Sequence, residues 1–135
     1  MHEPGNAPFQ RVLVVEDNEA IRSLLSRLLE RRGYVVASVT SGEAAVEASA
    51  EGFDVVLLDV GLPDLNGLEV CRRIRARVST ANLPIVIMTG RAEPGDIRDG
   101  LAAGADDFVT KPFDTDDLIL RLNRVSGASR RPRAS

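Results

Sequence analysis

One cysteine, one histidine, one lysine and no tryptophan occur in 135 residues, and each scarcity removes a class of function. Cys71 alone makes neither an internal disulfide nor a multi-cysteine zinc site. His2 stands in a lead-in with Pro4, Gly5 and Pro8 and leaves histidine-based metal or triad chemistry without a second member. Long apolar runs are also missing. Val12–Val15 and Val55–Leu58 fall far short of the ~20 residues that cross a bilayer. The first residues, Met1-His2-Glu3-Pro4-Gly5, show no basic stretch followed by an apolar one, so no secretory signal is read and a cytoplasmic protein is expected. Excess positive charge is absent too. The formal net charge is -3, although Arg130, Arg131 and Arg133 crowd the C-terminal end. DNA affinity comes mostly from phosphate neutralisation, so a slightly acidic body argues against direct nucleic-acid binding. The single lysine, Lys111, stands out among arginines, because the two are not interchangeable where a compact point charge is needed.

What is present is an ordinary globular balance, 44% hydrophobic and 27% charged, in a length suited to one domain. Residues 1–10 read as a flexible lead-in, 11–125 as the domain, and 126–135 as an Arg-rich tail or linker. Short β-branched or apolar runs at 11–15, 34–39, 53–58, 83–88 and 105–109 predict strands. Between them, helical spacing predicts amphipathic helices. The first is anchored by Ile21, Leu24, Leu25, Leu28 and Leu29, with Arg22 on the solvent side. Ser41 is the expected cap of an alanine-rich second helix. The third is striped by Leu68, Cys71, Ile74 and Val78, with its arginines on a solvated face. A fourth spans 94–103 on Ile97 and Leu101, and a fifth follows Asp114 or Thr115 with Leu118, Leu122 and Val125 facing in. Five strand–helix pairs in alternation imply an α/β fold, a parallel sheet covered on both faces.

In such sheets ligands sit beyond the carboxyl ends of the strands. Those ends carry Glu16-Asp17, Asp59, Thr89 and Lys111. Close carboxylates repel unless a cation joins them. A hard divalent ion with oxygen ligands meets that need, and Mg²⁺ takes one or two carboxylates plus waters and a phosphate oxygen. Thr89 can donate to a phosphoryl oxygen, Lys111 can neutralise one, and Asp59 can act as the nucleophile in aspartyl-phosphate chemistry. The set reads as a site for phosphoryl transfer onto Asp59.

The chain resembles a response-regulator receiver domain of two-component signalling. The resemblance rests on Val12–Asp17, Asp54–Asp59, Leu62–Val70, Pro84–Gly90, Gly104–Phe108 and Lys111-Pro112-Phe113, in order over roughly residues 10–125. It implies a single (βα)5 flavodoxin-like doubly wound sheet with strand order 2-1-3-4-5. By the same resemblance Asp59 is the phosphoacceptor. Asp17, Asp59 and the backbone carbonyl of Gly61 are the direct Mg²⁺ ligands, with Glu16 holding the ion through water. Thr89 and Lys111 are the phosphoryl-sensing pair, and Phe108 is the switching aromatic, although residues alone do not separate switch from core there. The Lys111-Pro112 bond is expected to be cis. Gly61 and Arg91, two positions beyond Asp59 and Thr89, are expected to influence phosphoryl lifetime. Val60, Gly61, Asn66 and Phe108 depart from commoner residues of the pattern.

The implied partners are a sensor histidine kinase or histidine phosphotransfer protein as donor. Downstream stands a protein partner or a second copy, met through the helix 4–strand 5–helix 5 face with Arg98, Asp106, Asp107, Asp117 and Arg121. No membrane contact is expected. Another class is a receiver-like interaction module that is never phosphorylated; a complete acidic pocket argues against it. A flavodoxin needs a phosphate loop where this chain has Glu16-Asp17-Asn18-Glu19, and a haloacid-dehalogenase-type phosphatase needs a second Asp at Gly61. No second core or helix-turn-helix pattern is visible, so a single-domain regulator and the receiver of a longer protein both stay open.

Overall fold

The computed structural model describes residues 10–90 and 94–128; the lead-in before Gln10, Arg91 and the tail from Ser129 lie outside the described residues. Five strands and five helices alternate: β1 (Arg11–Val15), α1 (Glu19–Arg31), β2 (Val35–Val39), α2 (Gly42–Ala48), β3 (Val55–Asp59), α3 (Gly67–Ala76), β4 (Ile85–Thr89), α4 (Pro94–Ala102), β5 (Asp107–Thr110) and α5 (Thr115–Ala128). All strand pairs are parallel, in the order β2-β1-β3-β4-β5. This is the doubly wound flavodoxin-like sheet. No described helix is long and apolar enough to cross a membrane.

Side chains alternate across the sheet and divide the core into two layers. Val12, Val14, Val55, Leu57, Val86, Met88 and Val109 meet Leu25, Leu29, Leu118 and Leu122 on one face. Leu13, Val15, Val56, Leu58, Ile85 and Ile87 meet Ala45, Val70, Cys71 and Ile74 on the other. The three central strands are buried on both sides, which is why they read as unbroken apolar runs. Helix starts follow the local chemistry. Asn18, Ser41 and Asn66 each accept a backbone N–H of the helix they precede, from Ile21, Ala44 and Leu68.

Several anchors differ from expectation. Leu24 is 46% exposed, and Leu25 and Leu29 carry the contact instead. Leu101 faces outward, while the buried residues here are Gly100 within α4 and Ala103 just past its end; a methyl group at Gly100 would stand 2.4 Å from Ile87 Cδ1. Val78 does not extend the α3 stripe and is 95% exposed. The helix stops at Ala76 because the Thr80 hydroxyl donates to the Ile74 carbonyl at 2.6 Å and Arg77 turns extended. Helix α5 runs beyond the expected boundary at 125 to Ala128. Ser126 is buried, and its hydroxyl donates to Gln10 Oε1 at 3.1 Å.

Arg75 of α3 fastens the amino edge of the sheet. It donates to the carbonyls of Gly104 (2.9 Å) and Leu83 (2.6 Å) and pairs with Asp106 at 2.9 Å. Asp106 also accepts the Ile85 N–H at 2.8 Å.

These packing differences have a direct test. Ile74→Ala should cost ~2–5 kcal/mol, the usual range for a large core deletion. Val78→Ala should stay within about 0.5 kcal/mol, as exposed positions do. Paired urea melts measure both.

Candidate phosphoacceptor site

Alternation decides what meets at the carboxyl edge. Asp59 ends β3 on the face of Val55 and Leu57. Glu16 follows β1, its N–H donating to the Val39 carbonyl, on the face of Val12 and Val14. Lys111 follows β5, its N–H donating to the Thr89 carbonyl at 2.8 Å. Its ammonium donates to Glu16 Oε1 at 3.0 Å and to Asp59 Oδ1 at 3.1 Å. Glu16 is 1% exposed and Asp59 6%, so this bridge supplies the countercharge that two buried carboxylates need. Glu16 Oε2 accepts the Asn18 N–H at 3.1 Å. Asp59 Oδ2 accepts no hydrogen bond among the described residues.

Asp17 is exposed, yet one carboxylate oxygen from each of Glu16, Asp17 and Asp59 lies within 4.8 Å of the other two. Three carboxylates face one ammonium. The excess of negative charge, on hard oxygen donors, fits Mg²⁺. Gly61 is exposed, and a methyl group there would stand 3.9 Å from Asp59 Oδ2, so its backbone runs beside the carboxylate.

Partial burial alone would lower the Lys111 pKa. The hydrogen bonds and charges of Glu16 and Asp59 outweigh it and raise the pKa above its ordinary 10.5.

Thr89 is buried at the end of β4, on the opposite face of the sheet from Asp59. The same alternation that sends Ile85 and Ile87 to the α2–α3 layer carries Thr89 that way. Phe108, half-buried on β5, packs against that layer too. The Arg121 guanidinium lies over the Phe108 ring, 5.2 Å from its centroid, and pairs with Asp107 and Asp117. The Lys111-Pro112 bond is cis. Arg91 lies outside the described residues.

Two contributors were not visible in the sequence. Arg22, expected on the solvent side, turns back and donates to the carbonyls of Glu16 (3.1 Å) and Asp17 (3.3 Å). Gly67 is the other: a methyl group there would lie 2.5 Å from Val60 Cα and 2.7 Å from the Asp59 carbonyl oxygen. Only glycine lets α3 start this close to the end of β3.

The model of the response regulator receiver domain family matches residues 12–123. The chain belongs to that family. Among its relatives, the phosphate regulon transcriptional regulatory protein PhoB of Rhizobium meliloti is 42% identical over 116 residues, 85% of this chain and 51% of that protein. The transcriptional regulatory protein TcrA of Mycobacterium tuberculosis is 44% identical over 131 residues, 96% of this chain and 51% of TcrA. The chain thus spans about half the length of these curated relatives. Among solved structures, the receiver domain of the sensor histidine kinase PA1611 of Pseudomonas aeruginosa, which has a magnesium ion coordinated in its active-site cleft, superposes with a TM-score of 0.82 at 35% identity, covering 88% of this chain and 98% of that one. Chemotaxis response regulator CheY4 of Vibrio cholerae gives a TM-score of 0.82 at 31% identity, covering 87% and 98%. Receiver domains are signalling domains that interact with histidine kinases and typically bind Mg²⁺ at an acidic pocket. In this receiver the departure at Asn66 is mild, because its Oδ1 caps α3 by accepting the Leu68 N–H at 2.7 Å.

The lysine bridge sets a pH dependence. Its folded-state pKa is raised, so its stabilisation is complete below the free value of 10.5 and is lost as pH rises through the higher folded value. Burial also pushes the Tyr34 hydroxyl up to about 12, which gives a loss in the same direction. That loss is common to wild type and Lys111→Met and cancels between them. Wild-type stability should therefore fall more steeply than that of Lys111→Met above pH 10.5, as denaturant melts across the alkaline range will measure.

Proposed function

We propose that this receiver accepts a phosphoryl group on Asp59 and thereby switches a protein-interaction face. The observation that carries the reading is the Lys111 ammonium bridging Glu16 and Asp59 at the carboxyl edge, with the Asp17 carboxylate beside them. An Asp59 carboxylate oxygen forms the new O–P bond. The P–N bond of a phosphohistidine on a histidine kinase or phosphotransfer protein breaks, and its electron pair leaves with the imidazole. Oδ2, which accepts no hydrogen bond among the described residues, suits the role of nucleophile.

Asp17, Asp59 and the Gly61 carbonyl would hold Mg²⁺, with Glu16 acting through water. When bound, the ion neutralises charge on the transferring oxygens. Lys111 offers a donor to one phosphoryl oxygen while remaining tied to Glu16. Thr89 provides a hydroxyl from the neighbouring strand. A Thr89 drawn toward the phosphoryl group vacates space on the face it shares with Phe108. Rotation of that ring would then alter the α4–β5–α5 surface, where a partner protein or a second copy binds. The phosphoryl group supplies only its differential affinity for the two arrangements. Gly61, with no side chain to orient water, and Arg91 are proposed to govern the lifetime of the phosphoryl group.

Acetyl phosphate with Mg²⁺ should add one phosphoryl group to the wild type, read by intact mass. Asp59→Asn, which keeps the shape and removes the nucleophile, should add none; an unchanged adduct would reject Asp59. Asp17→Asn should weaken Mg²⁺ binding by at least about tenfold, since one of few charged ligands is lost. Titration followed by NMR measures it, and equal affinities would reject Asp17 as a ligand.

A further inference from the structure

Asp64 lies exposed in the loop between β3 and α3, yet both its carboxylate oxygens are engaged. Oδ1 accepts the Gly42 N–H at 2.7 Å and Oδ2 the Glu43 N–H at 3.0 Å. These residues open α2, and N–H groups in a first helical turn have no partner inside the helix. The two N–H groups, that of Glu43 foremost, hold the Asp64 carboxyl below the usual carboxylate range. Ser41 Oγ separately takes the Ala44 N–H at 3.2 Å. The loop also sits directly on the first turn of α2: a methyl group at Gly42 would stand 2.7 Å from Leu65 Cβ.

The chain from Asp59 to Gly67 is therefore fastened at three points. Asp59 is held in the sheet. Gly67 is pressed against Asp59 and Val60, and its N–H donates to the Val60 carbonyl at 3.0 Å. Asp64 ties the middle to a different helix. Gly61 lies between two of these fixings and has no side chain to orient it. The direction of its carbonyl is set by its neighbours.

We infer that Asp64 is a positioning residue for the metal site, pinning the β3–α3 loop to α2 so that the Gly61 carbonyl is held beside Asp59. The inference rests on the proposal that Gly61 and the acidic trio hold Mg²⁺. A purely structural role, stabilising α2, is the competing account. Ser41→Ala separates the two, because it removes a cap from the same helix without touching the loop.

The experiment uses the full chain. Mg²⁺ is titrated by NMR into wild type, Asp64→Ala, Asp64→Asn, Ser41→Ala and Asp17→Asn, and backbone amide hydrogen exchange is recorded without Mg²⁺. Asp64→Ala should bind Mg²⁺ about tenfold more weakly, the scale seen when a group orienting a metal ligand is removed. Its amides at Gly61, Leu62 and Leu65 should exchange faster. Ser41→Ala should bind Mg²⁺ as wild type does and leave those three amides unchanged. Asp64→Asn keeps one acceptor but turns an NH₂ toward an N–H, so it should fall between, and it decides the matter if the alanine variant does not fold. Wild-type Mg²⁺ affinity with unchanged loop exchange in the Asp64 variants would overturn the inference. So would an equal loss of affinity in Ser41→Ala. If the wild type binds no Mg²⁺, or Asp17→Asn binds it equally well, the metal-site reading itself fails and this inference falls with it.

Discussion

Two buried carboxylates share one ammonium at the end of this sheet. Glu16 and Asp59 arrive from neighbouring strands on the same face, and without Lys111 their mutual repulsion and desolvation would go uncompensated. Everything at the carboxyl edge is arranged around that contact. β1 and β3 must stay in register so that both carboxylates face one way. The lysine must come from the far side of β4, which the ladder bond from its N–H to the Thr89 carbonyl provides. Arg22 then holds the two carbonyls that follow β1. A fixed cation that satisfies two of three acids leaves the third, Asp17, facing solvent, which gives the pocket an accessible negative side for an incoming ion.

The layered plan was legible because the three central strands, buried on both faces, have to be continuous apolar runs; the edge strands β2 and β5, only partly buried, are still marked by short β-branched or apolar runs. Strand limits were harder to read. Tyr34, Phe53 and Leu83 are as apolar as their neighbours but lie before the ladders begin. Helical spacing also misled at particular places. Leu24 fits the α1 stripe by count yet falls on its rim, where the sheet does not reach. Val78 fits the α3 stripe, but a threonine hydroxyl four residues past the last turn had already taken the carbonyl that would have continued it. On α4 the spacing predicts Ile97 and Leu101 inside, whereas Ile97 is only partly buried, Leu101 is exposed, and the close approach to Ile87 leaves room for Gly100 alone.

The site residues named from the strand ends are brought together as expected for Glu16, Asp17, Asp59 and Lys111, because a strand end is a place that sequence can locate. Thr89 and Phe108 sit on the other face, a separation that follows from counting along β4 and β5. Asp64 and Arg22 gave no such signal. Each looks like an ordinary polar residue, and each acquires its contact only when a loop and a helix distant in sequence or rotation are set side by side. Asn66 shows the converse: a departure from the commoner residue is absorbed, because an amide oxygen caps a helix about as well as a carboxylate.

The inner face of α4 has a mechanical meaning. Helices lock when large side chains interdigitate, and here the buried inward position is a glycine, Gly100, with Ala103 just past the helix end and Ile97 only partly buried. Such a helix rests on the sheet as a smooth runner on a flat bearing. Its lower end is clamped, since the Arg75 guanidinium grips the Gly104 carbonyl just past its last turn. A small tilt about that clamp breaks few dispersion contacts and swings the upper end across the surface beside β5, while the outward-facing Leu101, one turn from the clamp, moves least.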